Sequence, residues 1–426
     1  MQQTQHRRVI RAWCLYDWAS SAFATTVMAA LFPPFFRSLA IEAGLSEVQA
    51  TAYWGYVTAF ALLLVALLAP LLGAAADHRS RPKRFLSSFA ALGVVSTAAF
   101  ALIVRGDWRL AAALFILASV GFSGANVFYE SLLPHIARRE EIDRVSTRGY
   151  AIGYLGGGLL LTLNLLGVMR PHWFGLSGAE SAVRLAFLSV ALWWALFSIP
   201  LMRHVPEPPR VAALLPLETG SLRASLNRLA ATYRDLRRYR PLALFLVAYW
   251  IYADGIATIV KMATAYGDEI GIGLAEMVGA LVITQFVGIP CSLLFGRWAQ
   301  RIGSRQAILG GLGVYVLISI GGFLMQTALH FYLLAFGVGL VQGGTQALSR
   351  SLFASMVPKG KSAEFFGFYT LSGRFAGIAG PLLFALIGQL AGSSRLGILA
   401  VVAFFLLGGA LLLRVDIAAG RRAAGA

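Results

Sequence analysis

Apolar residues run through this chain in long blocks separated by short polar turns. Blocks of about 20 mostly apolar residues, the length a helix needs to cross a bilayer, lie near 11–36, 52–75, 85–104, 109–134, 147–169 and 181–202. A second series lies near 241–265, 274–296, 306–326, 329–356, 364–390 and 394–414. Such runs read as transmembrane helices. The pattern predicts an all-α membrane protein of twelve spans in two six-helix sets. One set occupies 1–202 and the other 241–414, with a polar linker at 203–240 and a tail at 415–426.

The linker opens on the proline-rich "HVPEPPR" and continues as "SLRASLNRLAATYRDLRRYR". Leu222, Leu226, Leu229, Tyr233 and Leu236 recur at steps of four and three, one face of a helix, and arginines fill the rest. An amphipathic helix lying on the membrane surface is expected here, joining the two sets.

Composition agrees with this reading. Of the 426 residues, 58% are hydrophobic and 13% charged, against about half and a quarter in soluble domains. The net charge of +17 would suggest nucleic acid in a soluble protein. Here its placement argues otherwise. Twenty-eight of the 36 Lys and Arg fall in, or at the ends of, the segments on the N-terminal side of the predicted membrane. Six fall on the other side, and Lys261 and Arg374 lie within spans. The asymmetry predicts that both termini are cytoplasmic. It also accounts for the charge as topology and contact with anionic lipid, so no nucleic acid is expected. No cleavage site follows the basic N-terminus, so the first block is expected to be a retained span. Cys14 and Cys291 both sit in apolar runs and build no disulfide framework or metal spacing.

The two sets repeat each other. The turn after span 2 reads "GAAADHRSRPKR", and that after span 8 reads "GRWAQRIGSRQ". The ends of spans 4 and 10, "ANVFYESLLP" and "TQALSRSLFA", align Asn126 with Gln346, Glu130 with Arg350 and Ser131 with Ser351. Spans 1 and 7 share Tyr followed by Asp, in "YDWAS" and "YADGI". Two parallel six-span halves resemble the major facilitator architecture. The turn carrying Gly73, Asp77, Arg79, Arg81, Lys83 and Arg84 resembles that superfamily's signature between spans 2 and 3. In it a Gly allows close approach and an Asp can pair with the basic turn; Gln300 replaces the Asp in the second set.

A narrower resemblance is carried by "LYDWASSAFATTVMAALFPPFF", "NVFYESLLPHIA", "RVSTRGYAIGYLGGGLLL" and "EFFGFYTLSGRFAGIAGPLLF". These blocks resemble the UMF1 branch, the family of the autophagy-related vacuolar amino-acid effluxer. The resemblance implies a secondary transporter exporting amino acids or similar small solutes by alternating access, in compact bacterial form. A multi-pass protein of the cell membrane is expected, with a small-molecule substrate, membrane lipid and a coupling proton as partners. A non-transporting sensor or scaffold on the same fold is the alternative.

Ionisable residues inside spans are functional candidates. Depth along a helix at 1.5 Å per residue sorts them. Arg374 lies roughly 15 Å and Asp254 roughly 20 Å from the inner ends of spans 11 and 7, near the midplane where transporters hold substrate. Asp254 and Arg374 are expected to face a central site, with Lys261 two turns above Asp254. The alternative is a fixed ion pair holding spans 7 and 11 together. Asn126, Tyr129, Gln285, Gln342 and Gln346 are candidate lining residues, or else interhelical hydrogen bonds. Asp17, roughly 9 Å deep, lies at the level of Glu130, Arg350 and Arg148. These four are expected to form a cytoplasmic gate, with Glu130 as one candidate partner of Arg350 and Asp17 another. Gly149, Gly153 and Gly157, and Gly373 and Gly377, read as close-packing faces, and Pro381 as a kink in span 11. No HExxH or GxSxG is present, and the six histidines lie in the N-tail, in loops or near span ends. No enzyme activity, cofactor or metal is expected.

Overall fold

The computed structural model describes residues 2–79, 81–208, 239–377, 379–391 and 394–425. The predicted surface helix of the linker lies largely outside these residues. So do the side chains of Lys261, Arg374 and 69–79, the last including Gly73, Asp77 and Arg79.

Among the described residues the regular structure is helical. Helix α1, Gln2–Ala22, passes through a π-helical stretch, Phe23–Leu31, into α2, Phe32–Glu42. Then follow α3 (Glu47–Arg79), α4 (Pro82–Ala99), α5 (Trp108–Ser131), the short α6 (Leu133–Ile136), α7 (Ile142–Met169) and α8 (Ala179–His204). Beyond the linker come α9 (Arg240–Glu269), α10 (Leu274–Ile302), α11 (Ser304–Phe323) and α12 (Ala328–Met356). The chain ends with α13 (Ser362–Phe375), α14 (Ala379–Ala391), α15 (Ser394–Leu413) and α16 (Ile417–Ala423). Ten helical segments of the described residues are long and apolar enough to cross a membrane. The other two predicted spans correspond to α3, whose described apolar stretch is Ala52–Val65, and to the broken pair α13/α14.

Packing follows one plan twice. In the first set α1 packs on α7 and α8, α4 on α5 and α8, and α3 on α5. In the second, α9 packs on α13 and α15, α11 on α12 and α15, and α10 on α12. The sets meet through α3 against α13, α7 against α10 and α12, and α5 against α13. Large apolar side chains such as Leu102, Leu192, Leu317 and Leu390 are exposed on the outside. A surface of that kind suits hydrocarbon and not water.

Small residues let these helices approach. Along α7, Cβ atoms built on Gly153, Gly156 and Gly157 would lie 2.7–3.1 Å from Ser21 and Trp18 of α1, the close approach expected of glycines at this spacing. Among the described glycines the closest backbone approach is that of α4 on α5. A Cβ on Gly121 would lie 2.4 Å from the Gly93 nitrogen and 2.7 Å from its Cα. Backbone cannot swing aside as a side-chain tip can, so Gly121→Ala is expected to cost about 3 kcal/mol, the upper end of overpacking. Gly310→Ala, with nothing within 4 Å, is the control. Thermal melting in detergent should fall for the first and not for the second.

Span 11 departs from expectation. The break lies at Ala376–Gly377, where Gly377 takes φ +89°, a conformation open to glycine without strain. Gly377 is therefore a chain-breaking residue and not part of a helix-packing face. Pro381 sits in the first turn of α14, where its missing N–H costs nothing, so it does not kink the helix.

Candidate functional site

The end of the interface that carries both chain termini is held shut by polar side chains. Arg350, on α12, is 1% exposed. Its Nη2 donates to Asp17 Oδ2 of α1 at 3.2 Å and to the Ser146 carbonyl of α7 at 3.0 Å. Its Nε donates to Ser146 Oγ at 2.9 Å, and that hydroxyl donates onward to the Ala347 carbonyl at 2.7 Å. The guanidinium also lies over the rings of Tyr150, Trp13 and Tyr129, at 4.5, 4.8 and 5.7 Å. Every one of these partners except Ala347 belongs to the first set. A buried charge needs such compensation, and a desolvated cation over aromatic faces gains about 2 kcal/mol.

Three further bonds cross the interface at the same level. Asp143, in the first turn of α7, accepts from Ser304 Oγ of α11 at 2.6 Å and from Ser351 Oγ of α12. His135 of α6 and Ser362 of α13 are hydrogen-bonded at 2.9 Å. Beside them, Gly149 leaves room for the latch: a Cβ there would lie 2.4 Å from Asp17 Oδ2.

Away from this end the sets border a partly open cavity of about 410 Å³. Ala24, Thr25 and Ala29 of the π stretch and Tyr154 and Leu161 of α7 form one wall. The facing wall comes from α9, α10, α11, α12, α14 and α15. Proline 33 and proline 34 follow the π stretch and deny N–H partners to carbonyls upstream, which favours the wider turn. Thr25 fills it by donating to the Ser21 and Gly157 carbonyls, at 3.0 and 3.2 Å. The lining is mainly apolar, and no described lining residue is charged. Thr258, Thr284 and Ser319 donate to carbonyls of their own helices, so the amides of Gln285 and Gln342 and the phenols of Tyr154 and Tyr266 are the other polar groups of the lining. Gln342 also borders a second cavity of about 220 Å³, lined by Gln346, Tyr249, Tyr252 and Gly373.

Asp254, 2% exposed on α9, faces the break in span 11. Its Oδ1 accepts the Gly377 and Gly380 backbone N–H groups at 2.7 and 2.9 Å. A carboxylate thus sits at the N-terminus of α14, where unpaired N–H groups and the helix dipole favour negative charge. Gly380 is required by the contact, since a Cβ there would lie 1.9 Å from Thr258 Oγ1.

A broken helix, a cavity between paired helix sets and a latch at one end are the parts of an alternating-access transporter. The family described as "Vacuole effluxer Atg22 like" matches residues 5–425. The chain belongs to that family. It is 38% identical to the MFS-type transporter YxiO of Bacillus subtilis strain 168, over 93% of this chain and 92% of that one. Autophagy-related protein 22-1 of Aspergillus fumigatus is 23% identical, over 88% of this chain and 76% of its own. In fold the chain is similar to the human organic anion transporter MFSD10, with a TM-score of 0.70 at 17% identity, covering 96% of this chain and 99% of that one. This Atg22-like protein is therefore a multi-pass membrane transporter of the major facilitator type.

The candidate residues of this family member separate into groups. Asp17 and Arg350 meet, and Tyr129 joins them: it stacks on Trp13 at 4.5 Å and borders neither cavity. The carboxylate bonded to Arg350 is Asp17, not Glu130, which sits half-buried on α5. Arg148 is exposed at the terminal end. Gln285, Gln342 and Gln346 reach the cavities, whereas half-buried Asn126 borders neither. Of the turn after α3, Lys83 donates to the Val205 carbonyl at 2.5 Å and its backbone N–H to Glu207 at 3.2 Å, tying the turn to the end of α8. Arg81 and Arg84 close the first turn of α4 through Arg84 N–H to the Arg81 carbonyl at 3.1 Å. Ser146 and Asp143 were not among the candidates. Asp143 reads in sequence as an ordinary first-turn acid, and a lone serine carries no signal.

Proposed function

We propose that this transporter moves a small organic solute, an amino acid or a similar zwitterion, outward across the cell membrane by alternating access. The observation that carries the reading is the cavity between two helix sets that are latched at one end through Asp17 and Arg350. Rocking the sets apart at that latch would turn the cavity from one side to the other. The excess of Lys and Arg on the terminal side supports twelve spans with both termini cytoplasmic, the latch then closing the cytoplasmic end. In this assignment Asp17, Arg350, Ser146 and Asp143 are the gate, and residues 1–202 and 241–414 are the two moving halves. Gln285, Gln342 and Gln346 hydrogen-bond the solute. Arg374 binds its carboxylate, Lys261 shapes the outer mouth, and Asp254 carries a coupling proton.

Purified protein should be stabilised by a member of an amino-acid panel and should catalyse counterflow of that compound in liposomes. Stabilisation without counterflow would instead make it a sensor on a transporter fold. Gln285→Ala and Gln342→Ala should each weaken solute binding about tenfold, the loss of one hydrogen bond at roughly 1.4 kcal/mol, with maximal velocity little changed. Unaltered affinity in both would move the site elsewhere. Arg374→Lys should fold normally and lose most transport, because a lysine cannot replace the two-pronged guanidinium.

A further inference from the structure

A third cavity, of about 540 Å³, lies at the terminal end, outside the latch. It is large enough for a small-molecule group, and its walls come from both helix sets. Arg7 and Arg11 of α1 lie four residues apart on one helix face, as do Arg144 and Arg148 of α7. Arg138 precedes α7, and Arg297 faces them from α10. Six arginines thus converge on one concave space. One carboxylate, Glu141, shares it, and that group is engaged: its Oε1 lies 2.5 Å from His6 Nε2 and accepts the Arg138 N–H at 3.0 Å. These bonds offset burial and hold Glu141 below the ordinary carboxylate range.

The floor of this space is apolar, formed by Ile10, Val145 and Leu293. Leu293 is 41% exposed, and Phe286, seven residues earlier on the same face of α10, is likewise 41% exposed. An apolar track therefore runs from the arginine cluster along the outside of α10 toward the bilayer centre. Positive charge at headgroup level joined to an exposed apolar strip is complementary to one molecule with both parts.

We propose that this cavity binds the phosphate headgroup of an anionic phospholipid, its acyl chain lying along Leu293 and Phe286. Guanidinium groups match phosphate oxygens in pairs. Because Arg297 stands opposite Arg7, Arg11 and Arg144, a bound headgroup bridges α10 to α1 and α7 across the interface. The proposal does not depend on which solute is carried.

The test uses the full chain, purified in detergent and stripped of lipid, with phosphatidylglycerol, phosphatidylcholine or glycerol 3-phosphate added. Phosphatidylglycerol should raise the melting temperature of the wild type, and phosphatidylcholine should not. The double variant Arg144→Gln/Arg297→Gln should bind phosphatidylglycerol at least about tenfold more weakly. Arg414→Gln/Arg422→Gln, which removes the same charge from exposed positions on the same face, should respond as wild type. Equal responses in the two double variants would reduce the effect to general surface charge and overturn the site. An equal shift from glycerol 3-phosphate at matched concentration would assign the cavity to a soluble phosphate and overturn the lipid.

Discussion

Arg350→Met is expected to open the terminal end of the protein and reduce counterflow more than tenfold. The side chain is almost wholly buried and bonded to Asp17 and Ser146 across the interface. Removing one partner of such a pair costs about 3–5 kcal/mol, because the other charge stays behind without compensation. Asp17 retains a 16% exposed side chain, so some water reaches it and the lower figure applies. The loss falls on the closed state alone, since the contact exists only when the sets meet. About 3 kcal/mol then shifts the closed-to-open ratio roughly a hundredfold. Asp17→Asn should act in the same direction, and Arg350→Lys should rescue little, because an ammonium lacks the plane that stacks on Trp13 and Tyr150. The measurement is maleimide labelling of Ala347→Cys in a background without Cys14 and Cys291. Ala347 is fully buried in the closed interface. Faster labelling in Arg350→Met and Asp17→Asn is the expected result. Labelling at the wild-type rate in both would remove the gate assignment.

Asp254 should separate into two effects under substitution. Asp254→Ala leaves the Gly377 and Gly380 N–H groups without their acceptor in a buried place. Hydrogen bonds to a charged group contribute about 1.5–3 kcal/mol each, and here they share one oxygen, so a loss of about 3 kcal/mol is expected. The melting temperature should fall and transport should disappear with it. Asp254→Asn keeps an acceptor oxygen and the cap while discarding the titratable group. If Asp254 carries the coupling proton, this variant should melt near wild type and retain counterflow. It should also lose accumulation driven by a pH gradient. Gradient-driven accumulation at wild-type level in Asp254→Asn would leave Asp254 as a structural cap for α14 and nothing more.

The helical architecture was legible because it depends on local facts. A block of about 20 apolar residues satisfies its own backbone inside a helix, and ten of the twelve blocks counted in the sequence are helices long and apolar enough to cross a membrane among the described residues. The doubling was legible for the same reason, since each set repeats the Tyr-Asp of its first span and the polar end of its fourth. Membership of the Atg22-like family followed from short blocks spread along the chain. Asp17, Arg350 and Asp254 could be singled out because a charge in a long apolar run is costly wherever the run packs.

Their partners could not be read in this way. Asp17 and Arg350 are 333 residues apart, and only the packing of α1 and α12 against α7 brings them together. Glu130 was an equally good partner on repeat symmetry. The bond to Arg350 goes instead to Asp17, because Gly149 leaves the space that the carboxylate fills. Asp254 is answered by backbone N–H groups, which no side-chain pattern advertises, at a break that Pro381 seemed to mark and Gly377 makes. Ser146 and Asp143 gain their roles wholly from the interface. The sequence by itself determined the helices, their doubling and which charges lie within apolar runs, because burial of apolar length and cost of charge are properties of single segments. Only the tertiary structure decided who partners whom, because hydrogen-bond distances are set by how separate helices pack.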